Sequence, residues 1–173
     1  MRFLKVAAIL AAGTCIAIFV AYPNKSKSPA LGNAPQVQFP SENLAPTAAK
    51  QFLDGSFSLI KDVRSLPAPV LRAFTEQGGS RPLMANPGKD FGVGDVIYDP
   101  TVPSKRLIFA GILGDRCFVH YEQGGIGHSY VVALFKVSSK DSVNPIWRGY
   151  CRDGATSLED LRSWVGDGQC SQP

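Results

Sequence analysis

Four β-rich runs lie close together in the second half of the chain, and they limit its fold more than any other feature. Each run is rich in Val, Phe, Ile or Tyr, residues that favour strands. The connections between them are shorter than the crossover that parallel strands require, so neighbouring strands should pair antiparallel. The runs are residues 107–111, 116–123, 128–138 and 146–151. With residues 94–98 as a further short strand, the sequence predicts an antiparallel meander of about four or five strands.

Helical patterns flank this meander. Residues 47–53 favour a helix with Thr47 at its N-cap, residues 69–77 favour a second helix with proline in its first turn, and residues 56–63 suit either a helix or a strand. Near the other end, Ser157 is an N-cap candidate followed by acidic residues. The predicted fold class is therefore α+β, with short N-terminal helices, the meander and a C-terminal helix that caps one face of the sheet. The other face or an edge is expected to be free for binding.

The first 22 residues have the pattern of a membrane-targeting segment. Arg2 and Lys5 precede an uncharged run at residues 6–22. Its length is at the lower limit for a helix that spans a bilayer, and no Ala-x-Ala pattern follows, so an uncleaved anchor is expected. A cleaved signal peptide is the alternative. A lipoprotein modified at Cys15 is less favoured, because Thr14 is a poor residue before a lipidated cysteine.

Composition divides the chain into three parts. Residues 1–22 form the predicted anchor or signal, residues 23–46 form a Pro/Ser-rich tether, and residues 47–173 form a single α+β domain. The net charge of +4 arises entirely before residue 28, since residues 28–173 contain 14 basic and 14 acidic residues. A neutral domain without a basic run is unsuited to nucleic acid, and we expect no nucleic-acid partner.

Three cysteines follow the targeting segment, namely Cys117, Cys151 and Cys170. In an exported domain an odd number suggests one disulfide and one free thiol. Cys151 and Cys170 are the favoured pair because a helix-sized segment between them can return the chain to the preceding strand. Cys117 with Cys151 is the alternative pair. No cysteine or histidine spacing predicts a structural zinc site, and no metal or cofactor is expected.

Both histidines of the chain lie in the stretch HYEQGGIGHSY, residues 120–130. If Gly124-Gly125 forms a two-residue turn, which is the favoured hairpin signal, Tyr121 pairs with His128 and the two histidines lie on opposite faces. If the loop has three residues, His120, Glu122, His128 and Tyr130 share one face. Two imidazoles and a carboxylate on one face could hold zinc or perform acid-base catalysis.

The segment LPAPVLRAF, residues 66–74, followed by residues 94–137, is similar to the pattern of small exported proteins of Gram-negative bacteria whose function is unknown. The resemblance implies a bacterial envelope setting and carries no activity. We therefore expect a single-pass protein of the inner membrane with its domain in the periplasm, or a periplasmic protein if the signal is cleaved.

The favoured function is a membrane-tethered module that binds an envelope protein, one form of which is an inhibitor or immunity protein against an enzyme active in the envelope. An enzyme is less favoured because the sequence offers no clear catalytic set. The predicted contacts are residues of the hairpin, namely Gln123, Gly124, Gly125, Ile126, His128 and Tyr130. The alternative is a small metal-dependent hydrolase that uses His120, Glu122 and His128. A structural accessory whose anchor makes the contacts is a third hypothesis.

Overall fold

The computed structural model describes residues 38–40, 44–74, 84–94, 99 and 101–171. Strands within these ranges form one antiparallel sheet in which each strand pairs with the next along the chain. They are β1 (Ser58–Ile60), β2 (Lys105–Leu113), β3 (Arg116–Gln123), β4 (Ser129–Val137), β5 (Val143–Cys151) and β6 (Cys170–Ser171). The helices are α1 (Pro46–Leu53), α2 (Ala68–Ala73) and α3 (Leu158–Gly166), with a 3₁₀ turn at Val63–Ser65.

The predicted α+β class is confirmed, whereas the predicted number of strands is too low. The described part of the chain contains six strands, because β1 and β6 extend the meander at its two edges. These strands have three and two residues, too few to show an alternating pattern in the sequence. Residues 95–98 of the further predicted strand lie outside the described residues.

Each face of the sheet is covered by a separate apolar core. On the face that we call the α3 face, Phe118 and Trp147 pack with Leu53 of α1 and Leu161 of α3. On the opposite α2 face, the sheet packs with the segment that contains α2, and the core residues include Val70, Phe74, Tyr121, Val131 and Phe135. The expectation of a free face is therefore wrong, because the two helical segments cover opposite sides of the same strands. Free surface is left at the edges and hairpin ends.

The helix ends agree with the sequence at α3 and differ at α1. The Ser157 hydroxyl accepts a hydrogen bond of 3.1 Å from the Asp160 backbone N–H, which confirms the predicted cap. At α1 the N-cap is Ala45, and the helix begins at Pro46 without a side-chain cap. Thr47 is therefore the second residue of the helix and not its N-cap. Proline suits the first helical position because it has no N–H that needs an acceptor.

Residues 1–37, which hold the predicted anchor and most of the tether, lie outside the described residues. Within the described ranges, no helix combines the length and apolar character needed to cross a bilayer. Phe39, near the C-terminal end of the predicted tether, packs on Phe135 of β4 with ring centroids 5.4 Å apart. This part of the tether thus contacts the α2 face.

The favoured cysteine pairing is the one that the structure contains. Cys151 and Cys170 face each other across β5 and β6 and form a disulfide, so the alternative pair of Cys117 and Cys151 is wrong. Cys117 is a free thiol, fully buried on the α2 face. Burial raises the pKa of this thiol to about 12, which suppresses the reactive thiolate.

We predict that Cys170→Ser lowers the free energy of unfolding by about 3 kcal/mol, because the bond closes a loop with a sequence separation of 19. Denaturant unfolding followed by tryptophan fluorescence measures this difference. Cys117→Ala, the matched control, leaves the disulfide intact, and the Cys117 thiol of the wild type should react with a thiol reagent only after unfolding. Equal stability of Cys170→Ser and wild type would contradict the expected contribution.

Candidate binding site at the hairpin between β3 and β4

The loop that joins β3 to β4 has five residues, 124–128. Glu122 pairs with Tyr130 and Gln123 pairs with Ser129, so both predicted loop lengths are too short. The glycines do not close a tight turn, and their N–H groups donate to other segments of the chain. The Gly124 N–H donates to the Ser104 carbonyl at 2.9 Å, and the Gly125 N–H donates to the Val93 carbonyl at 3.2 Å.

The face assignment of the predicted three-residue loop is nevertheless confirmed for the strands. The observed loop is longer by two residues, Gly127 and His128, both on the β4 side, and a shift of two residues leaves every strand side chain on the same face. Glu122 and Tyr130 therefore face each other on the α3 face, and His120 lies on that face two residues before Glu122. His128 lies just outside β4, beside this group.

A close contact between two backbone segments holds the base of the loop. Gly124 lies so near the Gly92 carbonyl that a Cβ at this position would overlap it. Gly125 has a φ of 122°, which L side chains rarely adopt. Together with the two hydrogen bonds, these features fix the direction in which the rest of the loop projects from the sheet.

The apex of the loop is apolar and free. The Ile126 side chain is 100% exposed, although isoleucine is among the residues most often buried in proteins. Val93, from the segment that supports the loop, is 46% exposed. The Ile126 side chain therefore contributes no buried apolar area to the core of the domain.

The base of the loop contains a polar cluster built around Glu122. Its carboxylate accepts hydrogen bonds of 2.7 and 3.0 Å from Nη2 of Arg106 on β2, and His128 Nε2 lies 3.2 Å from Oε2. The Glu122 side chain is only 12% exposed and that of Arg106 is 28% exposed. The acid is therefore neutralised where water is largely excluded, which strengthens the ion pair relative to a surface pair.

Aromatic rings surround this cluster. The Arg106 guanidinium lies 4.4 Å from the centroid of Phe91, and the His128 ring lies 4.8 Å from the centroid of Tyr130. The Tyr130 ring also packs over Gly154, where a Cβ would overlap it. Burial, followed by the charge of Glu122, raises the pKa of Tyr130. The rings fix the side chains of Arg106 and His128 and so stiffen the loop base.

His120 lies in the core, whereas the hypothesis from the sequence gave it a metal-binding or catalytic role. It is fully buried, with Nδ1 3.0 Å from the Val131 carbonyl and Nε2 accepting a hydrogen bond of 3.0 Å from the Ala155 N–H. These partners define a neutral imidazole with its proton on Nδ1. Burial lowers the pKa of His120 to about 4. Neither ring nitrogen is available to a metal or substrate.

The three residues of the hydrolase hypothesis are therefore not brought together. Glu122 and His128 are in contact, but the nitrogens of His120 are bonded to the backbone. In the part of the chain that the structure describes, no group of three His, Cys, Asp or Glu side chains is placed to hold a metal ion. The carboxylate of Glu122 is engaged by Arg106, so the cluster is arranged to support the loop.

The predicted contact residues have different positions in this site. Ile126 forms the apex, Gly124 and Gly125 hold the base, and His128 and Tyr130 belong to the polar cluster. Gln123 is partly exposed at the end of β3.

Two residues of the site, Arg106 and Phe91, are missing from the sequence prediction. Arg106 comes directly before Leu107, a buried residue of β2. Because side chains alternate along a strand, this position indicates that Arg106 lies on the face opposite to Leu107. Phe91 belongs to a segment without regular structure, for which the sequence contains no comparable signal.

No protein-family model, curated protein sequence or solved structure matches this chain. Function is therefore inferred from the geometry of the chain itself.

We predict that His120 makes the domain sensitive to acid. The unfolded chain takes up a proton on this residue near pH 6.5, whereas the folded domain resists protonation until about pH 4. Stability contributed by the neutral imidazole is therefore fully present above pH 6.5 and is lost as the pH falls towards 4, by roughly 3 kcal/mol in total. Chemical denaturation at several pH values measures this loss.

The chain contains two histidines, so the control is simple. His128→Asn should retain the acid sensitivity, because His128 lies at the surface of the loop base. Stability that stays constant between pH 6.5 and 4 in the wild type would contradict the role assigned to His120.

We predict that Arg106 and Glu122 are energetically coupled. In a double-mutant cycle of Arg106→Gln and Glu122→Gln, each single change should cost about 2 kcal/mol, and the coupling should be about 1–2 kcal/mol because the pair is largely desolvated. The matched control is the surface pair of Arg64 and Asp62, whose side chains are 86% and 38% exposed. Its coupling should be clearly weaker, because water screens the two exposed charges. Similar coupling in both cycles would contradict the proposed structure of the loop base.

Proposed function

We propose that this protein is a membrane-tethered binding module that recognises a protein partner in the bacterial envelope through residues 123–128. The observation that carries the proposal is the fully exposed side chain of Ile126 at the apex of a loop whose base is fixed. Removal of this side chain from water in a pocket of a partner would contribute favourable free energy to binding.

The fixed base lowers the cost of binding. A loop that is already ordered loses less conformational entropy on association than a flexible one. Here Gly124 is packed on Gly92, and the Arg106–Glu122 pair supports the end of β3. The apolar apex and the polar base together have the character of an interface with an apolar centre and a polar rim.

The charge distribution supports a protein partner. Residues 28–173 have equal numbers of basic and acidic side chains, so the domain has no net positive charge that would attract nucleic acid. The apolar run at residues 6–22 supports attachment to the membrane, and the tether would let the domain reach a partner at a distance from the bilayer.

A projecting, ordered loop suits a concave surface, and enzyme active sites are concave. The more specific form of the proposal is therefore an inhibitor or immunity protein whose loop enters the cleft of an envelope enzyme. This form requires that the captured partner lose its activity at a one-to-one ratio with the domain.

The decisive experiment places a photo-crosslinking amino acid at position 126 of the full-length protein in its native envelope. We expect one partner to be captured at this position. The matched control is position 59 on the edge strand β1, where Leu59 is also an exposed apolar residue, at 52%. Capture of the same proteins at both positions, or none at position 126, would contradict the proposal.

With the captured partner purified, we predict that Ile126→Asp weakens binding about 30-fold or more, which corresponds to the loss of at least about 2 kcal/mol at a central contact. Leu59→Asp should leave the affinity unchanged. Replacement of residues 1–22 with an unrelated anchor should also leave it unchanged, whereas a structural accessory that binds through its anchor would lose its partner. Calorimetry or surface plasmon resonance measures these affinities.

A further inference from the structure

The connection between β5 and α3, residues 152–157, makes a hydrogen bond to the sheet that only the neutral form of His120 allows. The Ala155 N–H donates to Nε2 of His120 at 3.0 Å. Ala155 is buried, whereas most of the connection is exposed. Within the described ranges, no backbone-to-backbone hydrogen bond joins residues 153–156 to a strand. Attachment of this connection, which we call the β5–α3 segment, is therefore coupled to the charge of His120.

A second proton on His120 removes the acceptor. The neutral ring carries its proton on Nδ1, which lies 3.0 Å from the Val131 carbonyl, so an added proton must bind Nε2. Nε2 and the Ala155 N–H are then two donors that face each other with no acceptor between them. His120 belongs to a central strand that is paired on both sides, whereas the β5–α3 segment lies at the surface. The segment is therefore the part that moves.

Both ends of the β5–α3 segment are fixed by other interactions. Cys151, directly before it, forms the disulfide with Cys170. Ser157, its last residue, caps α3 by accepting a hydrogen bond from the Asp160 N–H, and Leu161 of α3 is fully buried. The segment can therefore open while α3 and β5 keep their positions.

Glu122, two residues along β3, is a carboxylate that favours the charged form of His120. Its oxygens are already engaged by Arg106 and His128, so the buried charge of His120 is relieved chiefly by water, which an open segment admits. The titratable groups that surround this part of the α3 face are Arg106 on β2, Glu122 on β3, His128 and Tyr130 beside and within β4, and Asp153 in the β5–α3 segment.

The β5–α3 segment also supports the hairpin cluster. A Cβ at Gly154 would overlap the ring of Tyr130, so the backbone of the segment lies directly against this ring. The centroid of the Tyr130 ring in turn lies 4.8 Å from that of His128, the last residue of the loop. Opening of the segment removes a packing surface from Tyr130 and thereby loosens the loop base.

We propose that the β5–α3 segment is an acid-sensitive latch for the hairpin loop, closed while His120 is neutral and opened by its protonation. The inference rests on the binding function proposed above, because the closed segment helps to hold the loop in the form that a partner recognises. The transition should lie between pH 6.5, the ordinary pKa of a histidine, and about pH 4, where the closed structure itself takes up the proton. The partner should therefore be bound at neutral pH and released in acid.

The test titrates the full-length chain in a non-ionic detergent from neutral pH to just below pH 4 and follows it by NMR. The spectrum of His128→Asn assigns the two histidine rings. Three resonances should change with the midpoint of the His120 ring, namely those of the Ala155 amide, the Tyr130 ring and the Ile126 methyl groups. The methyl groups of Leu161 should stay fixed, because α3 remains in place.

Two variants separate His120 from the other titrating groups. His120→Gln keeps an acceptor oxygen that is not protonated in this range, so its Ala155 amide should stay fixed although His128 is still present. Asp153→Asn removes a carboxylate from the same segment and should retain the wild-type transition. The titration of the wild type does not depend on either variant. An Ala155 amide that does not follow the His120 ring, or Leu161 methyl groups that change with it, would overturn the latch.

These spectra need no partner, so their failure is distinct from a failure of capture at position 126. With the captured partner, the affinity of the wild type should halve at the midpoint and fall about tenfold one pH unit below it, as the closed fraction falls. His120→Gln should lose this dependence. Capture with an affinity that is constant through the transition would contradict the latch alone, whereas no capture would overturn the binding function and the latch together.

Discussion

The buried imidazole of His120 connects three parts of the domain, and much of the fold depends on it. It lies in β3, donates to the neighbouring strand at Val131 and accepts from Ala155 in the connection that leads to α3. Because both bonds are made in an interior that excludes water, any other orientation of the ring would leave two buried polar groups unsatisfied. The ring therefore fixes the position of α3 relative to the sheet and the orientation of β3.

The hairpin site follows from this fixed orientation. Side chains alternate along a strand, so a buried His120 requires Glu122 to point towards the same face, near the end of the strand. There the carboxylate emerges from the core beside Arg106 and Tyr130. The structural histidine and the candidate site are thus parts of one arrangement, in which the stability of the core determines the position of the loop.

The sequence was sufficient to predict the parts of the fold that repeat a pattern. The bounds of β3 agree with the predicted run, and the cap at Ser157 agrees with its signature, because alternation and capping are local properties. The length of the hairpin loop was not predictable, since Gly124 and Gly125 make their hydrogen bonds to residues 20 or more positions away. For the same reason the aromatic contact between Phe91 and Arg106 was not predictable. Contacts between distant segments have no periodic signal in a single sequence.

A sheet covered on both faces restricts where binding can occur. Polar side chains on the central strands must be paired within the core, as His120 is, so side chains available to a partner are confined to hairpin ends and edges. Ile126 is at such a hairpin end, and its side chain is fully exposed. Covering both faces of the sheet thus leaves a loop apex as a place where an apolar side chain of this fold remains in water.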